Sequence, residues 1–143
     1  MTSPADPGRA EQPTPLLTYE MVTNFPTRRG NVRVVVDRDG AVRFQKNESE
    51  PAGGEAWAKP LPVEPVSRVK NAESRLFGLL ERRGFFSMEL LQTNETTTDG
   101  VRQSLTWNGK AGPRTVTVDR ARSEGFETLR GELFRLLGLV GLA

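Results

Sequence analysis

The sequence predicts a two-layer α+β domain, in which two helices cover one face of a mainly antiparallel sheet. Two observations predict this class: short runs that alternate apolar and polar residues, and two longer segments whose apolar residues repeat at helical spacing. The predicted order of elements is β-β-β-α-β-β-α. Since each predicted helix has a single apolar side, both helices are expected on one sheet face, with the other face exposed.

The first predicted strand follows an N-terminal tail. Residues 1–15 are rich in Pro, Gly and charge and have no periodicity, so they are expected to be a disordered tail before a single domain over residues 16–143. Leu17, Tyr19 and Met21 then alternate with more polar neighbours, as in a strand. Pro and Gly within residues 24–30 predict a loop after it.

A hairpin over residues 31–46 is the clearest local signal, because two β-rich runs flank an Asp-Gly pair. A two-residue turn would pair Val36 with Arg43 and place valines opposite polar groups. A three-residue turn over residues 38–40 pairs Val36 with Val42 instead, which makes one face apolar. The second register is therefore predicted, with a glycine in the left-handed region closing the turn.

A long connection and a helix follow the hairpin. Residues 47–65 contain four prolines, a Gly-Gly pair and Trp57, and are expected to form a long loop without regular structure. Apolar residues over 66–83 then repeat at helical spacing, with Pro65 suited to the first turn and Gly84 to the C-terminal cap. The two phenylalanines after Gly84 are expected to turn back into the core.

The last third of the chain predicts a second hairpin and a second helix. Residues 92–100 are polar and are expected to be a loop or a frayed strand, and strands are predicted over 101–107 and 114–119. Ser123 is suited to cap the final helix. The apolar stripe of this helix is expected to pack against the inward-facing residues of the strands. The helix residues predicted for this contact are Phe126, Leu129, Leu133, Leu136 and Leu137. The strand residues predicted to contact them are Val34, Val36, Phe44, Leu105, Val116 and Val118. Arg130 is expected on the exposed side.

The amino-acid composition excludes several kinds of catalytic and metal-binding site. The 143 residues include no histidine and no cysteine, which excludes Ser-His-Asp and Cys-His catalysis, disulfides and the usual zinc ligand sets. We therefore predict no catalytic residue, no metal and no cofactor, and regard enzymatic activity as uncertain. A net charge of +2 is small for a nucleic-acid protein, and no apolar run suits a membrane span or a signal peptide, which predicts a cytoplasmic protein.

Three short motifs have simpler structural explanations. Residues 67–70 match the S-x-x-K pattern of penicillin-recognising enzymes, but the further motifs of those enzymes are absent and the first turn of a helix explains the pattern. The Asp37-x-Asp39-Gly40 run resembles the start of a calcium loop, with the glycine two positions early, and a turn explains it. The glycines around Lys110 lack phosphate-loop spacing.

One candidate surface remains. Arginines gather around the first hairpin, and Arg33 and Arg43 are expected to share a face with Val35, while Trp57 is suited to anchor a protein partner. The predicted partner-binding residues are Phe25, Arg28, Arg29, Arg33, Val35, Arg43 and Trp57. An ordinary solvated sheet face is the alternative explanation for the arginines.

The layout also resembles a group of small bacterial α+β domains that includes the emfourin-type inhibitors of protealysin-like metalloproteases. The resemblance is carried by residues 32–44, a helix that ends in Gly84-Phe85-Phe86, residues 105–107 and 115–118, and a closing helix. It spans residues 18–140 as a pattern. Residues 24–30 depart from the glycine-rich segment expected after strand one, so no inhibitory residue is carried over. The resemblance implies the fold more than the activity.

Three functions are consistent with these observations. The first is a non-enzymatic protein-binding module, either a protease inhibitor or an accessory subunit, whose partner is a protein. The second is a small ligand-binding protein or a carboxylate-based enzyme that uses the exposed sheet face or the 47–65 loop as a lid. The third is weak nucleic-acid binding through the arginine-rich hairpin, which the low net charge disfavours.

Overall fold

A computed structural model describes residues 14–23, 28–93 and 100–141. These residues form an α+β domain around one open, seven-stranded sheet with the strand order β4-β3-β2-β1-β6-β7-β5. The strands are β1 (Leu17–Thr23), β2 (Val32–Val36), β3 (Ala41–Lys46), β4 (Ser67–Arg68), β5 (Leu91–Thr93), β6 (Val101–Trp107) and β7 (Arg114–Asp119). Every strand pair is antiparallel except β5 and β7, so the predicted mainly antiparallel class is confirmed.

In the described part of the chain, two α-helices and a 3-10 turn accompany the sheet. Helix α1 spans Ala72–Arg82, helix α2 spans Glu124–Leu136, and the 3-10 turn spans Phe85–Ser87. The Ser123 hydroxyl accepts the Phe126 amide at 3.3 Å, which confirms the predicted N-terminal cap of α2. Gly84 has a φ of 76° after α1, and Phe85 behind it is buried, as predicted.

The first hairpin has the predicted register. Val36 pairs with Val42 across β2 and β3, and Val34 pairs with Phe44. The Gly40 amide donates to the Asp37 carbonyl at 2.9 Å, and Gly40 has a φ of 90°. The turn therefore leaves the apolar residues of both strands on one face, where the helices pack.

The core lies between that face and the two helices. Leu133 of α2 and Leu105 of β6 are among its fully buried members. Of the residues predicted to form this contact, all are buried in one cluster except Leu136 and Phe44, which are half-buried against it. The continuous apolar stripe of α2 explains why this prediction is confirmed.

The start of α1 was predicted six residues too early. Instead of entering a helix, the Val66 amide donates to the Val42 carbonyl at 2.7 Å, and the Val69 amide donates to the Gly40 carbonyl at 2.8 Å. These bonds extend the sheet edge as β4, and Asn71 then begins the helix with a left-handed φ of 52°. Pairing with β3 therefore replaces the helical turn that Pro65 and the apolar spacing indicated.

Strand β5 adds a parallel pair that the sequence did not indicate. Gln92 and Thr93, predicted to lie in a loop or frayed strand, pair with Val118 and Asp119 of β7. The strand has only three residues and lies at the sheet edge, so it leaves too short a pattern to recognise. The remainder of the predicted loop, residues 94–99, lies outside the described residues.

The predicted tail falls mostly outside the described residues, which begin at Thr14. The Thr14 carbonyl accepts a hydrogen bond from Arg38 Nε at 3.2 Å, and the Pro15 carbonyl accepts one from Asn108 Nδ2 at 3.2 Å. Thr14 and Pro15, the last two residues of the predicted tail, are therefore hydrogen-bonded to the domain. Within the described ranges, neither helix has the length and apolar character needed to cross a bilayer.

Candidate protein-binding surface

The 47–65 loop lies on the second face of the sheet, which was expected to be exposed. Gln45 Nε2 donates to the Lys59 carbonyl at 2.6 Å, and Arg43 Nε donates to the Val63 carbonyl at 2.9 Å. The polar side chains of β3 thereby donate hydrogen bonds to backbone carbonyl groups of a loop that has no strand pairing of its own. The expectation of an open second face is wrong over β2 and β3, because this loop covers part of it.

Two asparagines hold the beginning of the loop. Asn31 Nδ2 and Asn47 Nδ2 both donate to the Ala56 carbonyl, at 2.8 and 2.9 Å. The Ala58 amide returns a bond to Asn47 Oδ1 at 3.1 Å. Both asparagines are buried, so these bonds provide the partners that buried amide groups require.

Trp57 rests against the hairpin through Arg33. The guanidinium carbon of Arg33 lies 4.6 Å from the centre of the Trp57 ring, and Arg33 Nε donates to Gln45 Oε1 at 2.5 Å. Burial lowers the pKa of Arg33, and the Glu20 carboxylate, which lies across the β1–β2 pair, opposes that shift. Trp57 and Arg33 therefore stabilise the loop against the sheet through a cation–π contact.

Beyond Trp57, the loop and the hairpin enclose a groove of about 700 Å³, which we call the loop groove. Its lining is Pro15, Val35, Asp37, Arg38, Asp39, Arg43, Leu61, Pro62 and Val63. Val63 leaves 80% of its surface exposed at the edge of the groove. Together with Val35 and Leu61, Val63 gives the groove an apolar lining that is larger than a single exposed side chain.

Both aspartates that line the loop groove are ion-paired. Arg43 pairs with Asp37, and Arg68 pairs with Asp39 at 3.1 Å. The hydrogen bond from the Ala41 amide, and then the bond from Arg68, lower the pKa of the exposed Asp39 carboxyl. An acid catalyst near neutral pH needs a raised pKa, so Asp39 is unsuited to that role.

The structure brings together only some of the predicted partner-binding residues. Val35 and Arg43 are cross-strand partners and both line the loop groove. Arg33 and Trp57 lie next to it, in contact with each other. The remaining members are farther away or outside the described part: Arg28 and Arg29 precede β2, at the end of the strand remote from the turn, and Phe25 lies outside the described residues.

The sequence prediction missed the loop side of the groove. Leu61, Pro62 and Val63 line it together with the hairpin residues. A usable signal was present, because Leu61 and Val63 are apolar residues on either side of Pro62, and proline favours an extended, exposed chain. The predicted surface therefore shares only Val35 and Arg43 with the lining of the groove.

Residues of the S-x-x-K and calcium-loop-like motifs have structural roles. Ser67 Oγ donates to the Leu137 carbonyl at 2.6 Å, which ties β4 to the end of α2. Asp37 and Asp39 belong to the turn and its ion pairs. Among the residues that the structure describes, no three acidic side chains group in a way that could hold a metal ion.

Comparison of the sequence with protein-family models and with curated proteins gives no match.

Proposed function

We propose that this protein is a protein-binding module and that the loop groove contacts its partner. The observation that carries the proposal is the apolar strip of Val35, Leu61 and Val63, which lines the groove beside the ion-paired Asp37 and Asp39. An apolar centre with a charged rim is the usual anatomy of a protein interface. Both ion pairs already neutralise their charges, so the apolar strip and the Arg38 guanidinium are left as the binding features of the groove.

The partner could make the protein an inhibitor or an accessory subunit. The resemblance to emfourin-type domains motivates the inhibitor alternative, and its direct test is residual activity of a purified protealysin-like metalloprotease mixed with the protein. A stoichiometric loss of proteolysis supports inhibition, whereas full activity at micromolar protein leaves the accessory role as the better proposal.

Affinity capture with matched variants tests the binding surface. Wild-type protein is compared with Val63→Asp and with Val140→Asp, because Val140 is also an exposed valine, at 70%, and does not line the groove. We expect a stoichiometric partner to be retained by the wild type and the Val140 variant and lost by the Val63 variant. Equal capture by all three, or no stoichiometric partner, contradicts the proposal.

The contacts of the hairpin give no support to the other two functions. Arg33 and Arg43 donate to acceptors of the chain itself, and Arg38 donates to the carbonyls of Thr14 and Asn108. Phosphate recognition would have to compete with these bonds, and a salt titration of binding to single-stranded DNA measures whether it does. For carboxylate catalysis, the two aspartates of the groove are already ion-paired.

A further inference from the structure

A second cavity lies on the opposite, helix-covered side of the sheet. It occupies about 480 Å³ beside α2 and is lined by Tyr19, Met21, Gly30, Val32, Lys46, Arg130, Gly131 and Phe134. We call it the α2 cleft. Its volume falls within the range of small-molecule sites, which is roughly 300–1,000 Å³.

The floor of the α2 cleft is apolar and rigid. Tyr19 and Phe134 are buried and meet edge to face, with ring centres 5.4 Å apart. Val32 of β2 is also buried, and Met21 of β1 is half-buried. A floor of packed aromatic and aliphatic groups suits an apolar chain, because each methylene that enters it leaves water.

Two glycines line the cleft. A Cβ added at Gly131, in α2, or at Gly30, before β2, would meet no atom within 4 Å. The space next to both positions is therefore open and could be filled by a larger side chain. Gly131 also lies within a helix, where glycine is unfavourable relative to almost every other residue, so its presence there is not explained by helix stability.

The polar part of the lining is cationic. Lys46 and Arg130 line the cleft, and no acidic side chain does. Across the described residues, neither cation forms an ion pair with a carboxylate. Arg130 Nη1 donates to Gln103 Oε1 at 2.6 Å, and the Tyr19 hydroxyl donates to the same oxygen at 2.7 Å, which fixes the guanidinium beside the apolar floor.

We propose that the α2 cleft binds a single-chain aliphatic carboxylate, such as a medium-chain fatty acid. The alkyl chain would lie on Tyr19, Met21, Val32 and Phe134, and the carboxylate would be held by Lys46 and Arg130. Charge-assisted bonds to a planar guanidinium suit a carboxylate in particular. The proposal is independent of the loop groove, which lies on the other face of the sheet.

Titration of the full chain with octanoate, followed by amide NMR, tests the site. Octanoate stays monomeric at the millimolar concentrations needed, and 1-octanol is the control with the same chain and no charge. We expect saturable, one-to-one shifts around Val32, Lys46 and Gly131, with 1-octanol at least about tenfold weaker. Equal affinity for the alcohol, or no saturable shift with octanoate, overturns the proposal.

Filling the cleft provides a second, independent test. Gly131→Leu adds a side chain to the lining, and Gly78→Leu in α1 is its control, since Gly78 is also helical with open space around its Cβ position. Both changes favour the helix, so neither is expected to unfold the protein. We expect octanoate binding to fall at least about tenfold for Gly131→Leu only. Unchanged binding by that variant overturns the proposal.

Charge variants assign the head-group contacts. Lys46→Gln and Arg130→Gln are compared with Lys70→Gln and Arg135→Gln, which remove exposed cations of the same types elsewhere. We expect several-fold weaker octanoate binding in the first pair and no change in the second. Because Arg130 also supports Gln103, the exposed Lys46 decides the outcome if Arg130→Gln lowers the melting temperature. Wild-type affinity in the Lys46 variant, or binding of an apolar peptide C-terminus in preference to octanoate, overturns the proposal.

Discussion

At Gly40 the turn between β2 and β3 meets the chain that leads into α1. The φ of Gly40 is 90°, and a Cβ there would lie 2.0 Å from the Val69 carbonyl oxygen. The Val69 amide in turn donates to the Gly40 carbonyl, so the turn and β4 are fixed together at this residue. A single position thus combines a backbone conformation that favours glycine with a close approach that requires it.

Comparing alanine variants of Gly40 and Gly30 separates the cost of the left-handed backbone from the cost of the close approach. Gly40→Ala should lower the free energy of unfolding by more than about 3 kcal/mol, because left-handed strain and a backbone clash add. Gly30→Ala is the control, since Gly30 has the same φ of 90° and no atom within 4 Å of its Cβ position. That variant should lose roughly 1–2 kcal/mol from strain alone. Urea unfolding measures both, and equal losses would mean that the Val69 carbonyl moves aside without cost.

Tyr19, the only tyrosine of the chain, provides a pH probe of the core. Burial raises its pKa above the ordinary value of 10.0, although the nearby Arg130 opposes part of the shift. The unfolded state therefore ionises first, and the stability that neutral Tyr19 contributes is complete below pH 10.0 and is lost as the pH rises through the folded-state pKa. Urea midpoints should fall more steeply above pH 10.0 in the wild type than in Tyr19→Phe. Identical slopes would contradict this prediction.

Among the elements, the 47–65 loop depends on side-chain contacts more than on its own backbone bonds. Trp57→Ala removes the ring beneath Arg33 and should lower the free energy of unfolding by roughly 1–2 kcal/mol, because both the cation–π contact and the packing of the ring are lost. It should also speed hydrogen exchange of the Ala58 amide, which donates to Asn47. Lys59→Ala is the control, because only the carbonyl of Lys59 contacts the sheet and its side chain is exposed. Similar exchange in both variants would show that Trp57 does not hold the loop.

The elements also show what the sequence can and cannot predict. The hairpin register and the face of α2 were predictable, because each is a repeating pattern that only one arrangement buries. The start of α1 was not, since Val66 fits a helical stripe equally well but leaves 51% of its surface exposed beside β3. For the candidate site, the shared face of Val35 and Arg43 followed from strand alternation, whereas the docking of Leu61 and Val63 depends on irregular carbonyl contacts that leave no periodic signal.

At the scale of the whole molecule, one apolar layer joins every long element. Helices α1 and α2 contact each other and the same sheet face, and residues of both belong to a single buried cluster. The two candidate binding sites lie on opposite faces of the sheet, so each can be altered without touching the other. The cooperative unit should therefore be the whole domain, and a defect in the core should lower the stability of all its elements together.

Truncation of Leu133 at the centre of α2 tests this cooperativity. Leu133 has none of its surface exposed, so Leu133→Ala should lower the free energy of unfolding by roughly 2–5 kcal/mol. Arg130 was predicted to be exposed, but it is half-buried and bonded to Gln103, so the exposed Arg135 is the better control on the same helix. Arg135→Ala should change stability by no more than about 0.5 kcal/mol. Urea melts followed by far-ultraviolet circular dichroism and by tryptophan fluorescence, to which the buried Trp107 and the loop residue Trp57 both contribute, should shift together in Leu133→Ala, with an unchanged m-value. Separate transitions for the two signals would mean that α2 unfolds on its own, and equal midpoints for both variants would mean that the core does not depend on Leu133.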